Sequence, residues 1–305
     1  MKPILLFLAL LLPWGASQAA KLEYFLPEGA DYNPSITRPS AYLGYEIGDW
    51  HIRYDQLVGY LKTLSEESDR FQFEEIGRTY EERSLIMLTI SDPGNLGRLE
   101  ALREAHLRLC DPLNSEPPAK DVPVVVNMGY GVHGDESSAS NAAVVLAYHL
   151  AAARDEATNQ LLKRAIILLD PCLNPDGLSR FANWANSNRG KKPVADAIHR
   201  EHRAVWPGGR TNHYWFDLNR DWLLAQHPES HARLVKFHQW RPNVLTDFHE
   251  MASESTYFFQ PGVPARKHPL TPEANVKLTE RFAEYHARAL DKLGSLYYTQ
   301  ERFDD

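Results

Sequence analysis

The chain has no block of basic residues. Its formal charge is −7, from 33 Lys+Arg against 40 Asp+Glu, and the densest positive cluster is only Arg189 to Lys192. Nucleic acid binding needs a basic footprint to displace condensed counterions, so no nucleic-acid partner is expected. Cysteine is nearly missing too. Cys110 and Cys172 are the only two, too few for a disulfide framework, and their places at a helix end and a buried strand end predict free thiols. Beyond Leu12 no apolar run is long enough to cross a bilayer, which excludes a membrane span from the rest of the chain. Internal repeats are absent, and no composition shift marks a second domain. A zincin His-Glu-x-x-His is also lacking: His227 and His231 have the spacing, but Pro228 stands where the glutamate belongs.

Met1 and Lys2 carry positive charge, Ile4 to Leu12 is almost wholly apolar, and Gly15-Ala16-Ser17-Gln18-Ala19 supplies small residues for a peptidase. This pattern predicts a secretory signal peptide over residues 1–19 and a secreted or periplasmic protein. Residues 20–54, rich in Tyr, Pro and Gly without a period, read as an irregular N-terminal arm. Residues 55–305 read as one domain, since about 250 residues suffice for a single large core.

Leu57, Val58, Leu61 and Leu64 predict an amphipathic helix from Asp55 to Leu64. Phe71 to Arg78 and Ser84 to Ser91 predict a hairpin, and Val124-Val125-Val126 and Ala165 to Leu169 predict buried strands. Helices are expected over Leu96 to Leu109, Ser137 to Arg154, Pro228 to Trp240, and Thr271 to Leu293, the last capped by Thr271-Pro272-Glu273. Asn243 to Phe248 predicts another strand. Strands alternating with helices give an α/β fold, a three-layer α/β/α sandwich with a mixed, mostly parallel twisted sheet, its functional loops at strand carboxyl ends.

His133 and Glu136 lie three residues apart at a predicted strand-to-helix turn, and His249 follows a distant strand. Two imidazoles and one carboxylate make an open zinc site when a fourth position is left for water. By itself the spacing fits equally well with caps on the helix near Ser137. His199 and His202 read as solvated, and Trp206, Tyr214, Trp215, Phe216 and Trp222 read as loop packing or a cleft lining.

Asn174-Pro175-Asp176-Gly177 and Asp217-Leu218-Asn219-Arg220 are more specific. With His-x-x-Glu, an arginine and a strand-borne His in the same order, the chain resembles the carboxypeptidase A-like zinc metallocarboxypeptidases over roughly residues 55–260. The resemblance implies one zinc ion per chain, held by His133, Glu136 and His249, a ligand set that is itself the standard example for carboxypeptidase A. It implies Arg189, twelve residues after Gly177, as the arginine that polarises the scissile carbonyl. It also implies Asn219 and Arg220 as the clamp for a peptide's free C-terminal carboxylate, a role the planar guanidinium suits. Asp217 resembles the carboxylate that orients a ligand imidazole, with Asp247, on the same strand face as His249, competing for that task.

The family's water-deprotonating glutamate belongs some seventy residues beyond the last ligand, and the sequence ends at Asp305. Glu301 has no apolar strand to carry it, so the chain is expected to be truncated before the catalytic base. The implied activity is hydrolysis of C-terminal residues from peptides. Rival expectations are a zinc amidase acting on peptidoglycan stem peptides or acyl-amino acids, and an inactive zinc- or peptide-binding module.

Overall fold

The computed structural model describes residues 21–115, 117, 121–191, 194–251 and 255–299. The expected signal peptide and Glu301 lie outside them. The chain divides into two compact units, Met1–His249 and Glu250–Asp305.

The first unit is built on five strands: Phe71–Arg78 (β1), Ser84–Ile90 (β2), Val124–Tyr130 (β3), Ala165–Asp170 (β4) and Val244–Phe248 (β5). Their spatial order is β1-β2-β4-β3-β5. β2 runs antiparallel to both its neighbours, whereas β3 is parallel to β4 and to β5. All strands but β2 therefore point one way, and the sheet is mixed and mostly parallel. Around it lie α1 (Leu22–Phe25), α2 (Pro39–Leu43), α3 (Tyr54–Glu67), α4 (Pro93–Leu96) and α5 (Leu99–Leu109). They are followed by α6 (Ser138–Ala152), α7 (Glu156–Arg164), α8 (Pro175–Asn188) and α9 (Pro228–Trp240).

Every residue of β4 is buried, as a strand covered on both faces must be. Successive side chains go to opposite faces, and the core divides accordingly. Ile86, Leu88, Ile90, Ala165, Ile167 and Leu169 pack with Leu57, Leu61 and Leu64 of α3 and Ala143, Val144 and Ala147 of α6. Met87, Val125, Ile166 and Leu168 pack with Leu102 of α5 and Trp240 of α9 on the other side. Apolar cores on both faces of one sheet produce the three-layer sandwich.

The second unit holds a long helix, α10 (Glu273–Leu293), and a parallel pair of short strands, β6 (Tyr257–Phe258) and β7 (Tyr297–Tyr298). α10 begins without the expected cap: Pro272 occupies the capping position, makes no side-chain capping bond, and has no oxygen with which to make one.

Three further expectations are corrected. Residues 21–54, read as an irregular arm, contribute Leu22, Leu26, Ile36, Ile47 and Ile52 to the larger core and form the short helices α1 and α2. These side chains enter the core singly, which leaves no period to detect. The helix expected from Leu96 to Leu109 starts only at Leu99, and Pro93–Leu96 before it forms a separate short helix, started by Asp92, whose side chain accepts from Gly94 N, and by Pro93 at its first position. α8 was not expected from its turn-forming start. Cys110 and Cys172 are free thiols.

Candidate metal centre

The site forms where the parallel strands end. β3 and β5 pair in register to their last residues, Tyr130 opposite Phe248, whose rings stack with centroids 4.1 Å apart. Beyond that stack the chains diverge. One carries His133 and the other His249. The Glu136 N–H donates to the His133 carbonyl at 3.2 Å, closing a turn that brings both side chains to one place. One donor atom from each of His133, Glu136 and His249 falls within 4.8 Å of the others.

Both histidines turn the same nitrogen inward. His133 Nδ1 is 2.8 Å from Glu136 Oε1, and His249 Nδ1 is 3.1 Å from Glu136 Oε2. On the far side of each ring stands an aspartate: His133 Nε2 is 3.1 Å from Asp217 Oδ1, and His249 Nε2 is 3.1 Å from Asp247 Oδ2. A carboxylate that accepts the Nε2 proton fixes the tautomer whose Nδ1 lone pair points at a metal. Asp217 and Asp247, expected to compete for one role, each serve a different imidazole.

The electrostatics favour a cation at the centre. Hydrogen bonds to Asp247 and then to Glu136 push His249 up to about 10, so a proton is held where positive charge is wanted. Burial opposes the charge of Asp217, but the Asn219 N–H, His133 and Arg210 outweigh it and keep its carboxyl below the usual range. His133 is buried, whereas the His249 side chain is 34% exposed. The centre is thus closed at the first imidazole and open at the second.

Arg210 was not foreseen. It donates to Asp217 Oδ2 through Nε at 3.2 Å and NH2 at 3.0 Å, and its NH1 lies 3.8 Å from Glu136 Oε1. Only the Gly208-Gly209 turn before it hinted at a special position. Gly208 has φ +66°, in the region glycine tolerates.

The Asn-Pro-Asp-Gly motif holds the centre from behind. Asn174 accepts from Gly177 N at 2.9 Å and so caps α8, while its amide donates to the carbonyls of Val132 at 3.2 Å and Arg210 at 3.1 Å. Pro175 takes the first helical position. Asp176, buried, accepts from Thr79 Oγ1 at 2.8 Å and Arg83 NH1 at 2.7 Å, pinning the β1–β2 turn. Gly134 and Gly177 let backbone meet backbone: a Cβ on Gly134 would lie 2.1 Å from the Gly177 carbonyl carbon.

Asp217 caps the short turn Leu218–Arg220 by accepting from Asn219 N. Asn219 Oδ1 accepts from Trp222 Nε1 at 3.1 Å, and the exposed Arg220 donates to the Asn219 carbonyl at 3.2 Å. The proposed clamp is therefore joined, within one turn, to the aspartate behind His133. Arg189 is placed differently, with its guanidinium carbon 4.5 Å from the centre of the Trp50 ring. The structure brings together His133, Glu136, His249, Asp217, Asp247 and Arg210, and stacks Arg189 on the N-terminal arm.

Two inward imidazole nitrogens and one carboxylate, open on one side at the carboxyl ends of parallel strands, fit the donor set of a single-zinc hydrolase. The outer aspartates complete that chemistry by fixing both tautomers. The chain belongs to the zinc carboxypeptidase family, whose profile matches residues 57–290. No curated protein matches it. Its fold is similar to that of a metallo-carboxypeptidase from Burkholderia cenocepacia, with a TM-score of 0.54 and 19% identity over 82% of this chain and 53% of that one. It is also similar to the carboxypeptidase A of Helicoverpa armigera, with a TM-score of 0.52 and 17% identity over 88% of this chain and 60% of that one. The chain thus spans somewhat over half the length of each.

Proposed function

We propose that this chain is the metal-binding part of an exported zinc metallocarboxypeptidase that removes residues from the free C-termini of peptides. The observation that carries the reading is the pair of inward Nδ1 atoms facing Glu136, each imidazole backed by its own aspartate. His133, Glu136 and His249 would hold the ion. When bound, zinc supplies Lewis acidity there, enough to make a water a nucleophile near neutral pH.

The remaining roles belong to the chain's own side chains. Asp217 and Asp247 keep the Nε2 protons and thereby the ligand tautomers. Arg220, exposed on the turn that Asp217 caps, binds the terminal carboxylate with Asn219, and a guanidinium there selects chain ends over internal bonds. Arg189 reaches the scissile carbonyl by leaving the Trp50 face, and Arg210 steadies Asp217. The protein works outside the cytoplasm, and its substrate is a peptide rather than a nucleic acid, in keeping with the net charge of −7. Among the described residues no helix is long and apolar enough to cross a membrane.

The test compares peptides that differ only in a free or an amidated C-terminus. The purified zinc-loaded protein is expected to bind the free form, as calorimetry would show, and to leave the amide unbound. Binding of muropeptides with none of any free-ended peptide would favour the amidase reading instead.

A further inference from the structure

Ser137 directly follows Glu136 and stands at the capping position of α6, yet its hydroxyl makes no capping bond to that helix. Its backbone, at φ −72° and ψ −15°, lacks the extended form that capping needs. The hydroxyl is therefore left for another partner, and the N-terminal arm supplies it. Ser137 Oγ, on a residue only 4% exposed, lies 2.6 Å from His51 Nδ1. A hydroxyl and an imidazole nitrogen can each donate or accept, so the pair is satisfied in either tautomer.

His51 is itself held firmly. Asn186, in the last turn of α8, accepts from the His51 N–H at 3.1 Å and donates Nδ2 to the His51 carbonyl at 2.8 Å. Both backbone groups of one residue are thus tied to one amide. The imidazole meets the Phe181 ring edge-on, with centroids 5.0 Å apart, and Ile52, next in the chain, is fully buried. α8 therefore grips the ligand-bearing turn at both of its ends. From its start, Asn174 donates to the carbonyl of Val132, just before His133; from its last turn, Asn186 fixes His51, which takes the hydroxyl just after Glu136.

We propose that His51 is a positioning residue for the metal centre: by holding the Ser137 hydroxyl it closes the far end of the turn that carries His133 and Glu136. Held at both ends, the turn presents the Glu136 carboxylate to the two inward Nδ1 atoms before an ion arrives. Folding then does the ordering that binding would otherwise have to do. His51 acts through Ser137 and not on the ion. The inference rests on the zinc reading of the site, and it gives the N-terminal arm, which lies outside the residues 57–290 that match the family, a part in metal binding.

The test measures the zinc dissociation constant by competition with a chromophoric chelator in the wild type, His51→Phe, His51→Asn, Ser137→Ala and the double variant His51→Phe/Ser137→Ala. Thermal unfolding of the zinc-free proteins is followed in parallel. His51→Phe keeps a ring against Phe181 and loses the bond, and it is expected to weaken zinc about tenfold, the effect of ordering about one backbone residue at the moment of binding. Ser137→Ala is expected to match it, and it carries the test if the phenylalanine variant does not fold. The double variant is expected to be no weaker than either single one, because both changes remove the same bond. His51→Asn, whose amide keeps a polar atom in the place of Nδ1, is expected to stay within about threefold of wild type. A contact that served only the fold would lower the unfolding temperature and leave the zinc constant of the folded protein unchanged. That result, additive losses in the double variant, or an asparagine variant as weak as the phenylalanine one would each overturn the proposal. Failure of the wild type to bind zinc would instead remove the reading on which it rests.

Discussion

Asp217 and Asp247 take the Nε2 side of one imidazole each, and this division of labour makes single-residue behaviour predictable. Asp217→Asn or Asp247→Asn leaves the inward donors in place but loses the carboxylate that fixes a tautomer. Each is expected to weaken zinc about 10- to 100-fold with little change in the fold, as chelator competition would show. The proton on His249 gives a second expectation. Because its value stands at about 10, the imidazole is charged at pH 7 in the zinc-free protein, and zinc must displace that proton. Zinc affinity therefore rises with pH up to about 10, and uptake at pH 7 expels about one proton. Calorimetry in buffers of different ionisation enthalpy measures that number, and a value near zero would contradict the assignment. Most of these residues could be found in the sequence, because His133, Glu136, Asp217 and His249 sit in or beside the motifs that carry the resemblance to the zinc carboxypeptidases. Arg210 could not. It is placed by a glycine turn, which leaves no pattern along the chain.

Among the elements, the strands were the most readable and α8 the least. β4 announces itself as a short apolar run because both of its faces are covered. α8 opens with Asn174-Pro175-Asp176-Gly177, residues that signal a turn, and here they do build one, continuing as a helix because Asn174 caps it. The arm at 21–54 was opaque for a different reason, since burial of scattered residues such as Ile36 and Ile52 produces no periodicity. The strongest constraint at this scale is the backbone contact between the two glycine positions. Gly134→Ala would drive a methyl to within 2.1 Å of the Gly177 carbonyl carbon, where no flexible side chain can yield. The turn bearing His133 and Glu136 must then part from α8. A destabilisation of about 3 kcal/mol is expected in urea unfolding of the zinc-free protein, the upper range for overpacking. A loss near zero would mean that the two motifs do not interlock.

For the molecule as a whole, buried acids make stability depend on pH in a way opposite to the usual acid denaturation. Burial pushes Asp170 from 3.8 up to about 7, and Glu229 from 4.5 up to about 7. The folded protein holds these protons more tightly than the unfolded chain does, so their stabilising contribution is complete below about pH 4 and is lost as pH rises to about 7. Asp217 and Asp221, held below their usual range, act with the reverse sign and lose their contribution as pH falls through their lowered values. Between pH 5 and 7 the first pair governs, and Asp170→Asn is expected to flatten the decline in urea stability across that interval. An unchanged slope would show that Asp170 is ionised throughout.

The account stands or falls on where a zinc ion sits, and an anomalous difference map from zinc-loaded crystals, recorded at the zinc edge, shows this without inference. One peak is expected, about 2.0–2.2 Å from His133 Nδ1, His249 Nδ1 and a Glu136 carboxylate oxygen. A peak bound through the Nε2 atoms, or at any other cluster of the chain, would contradict it.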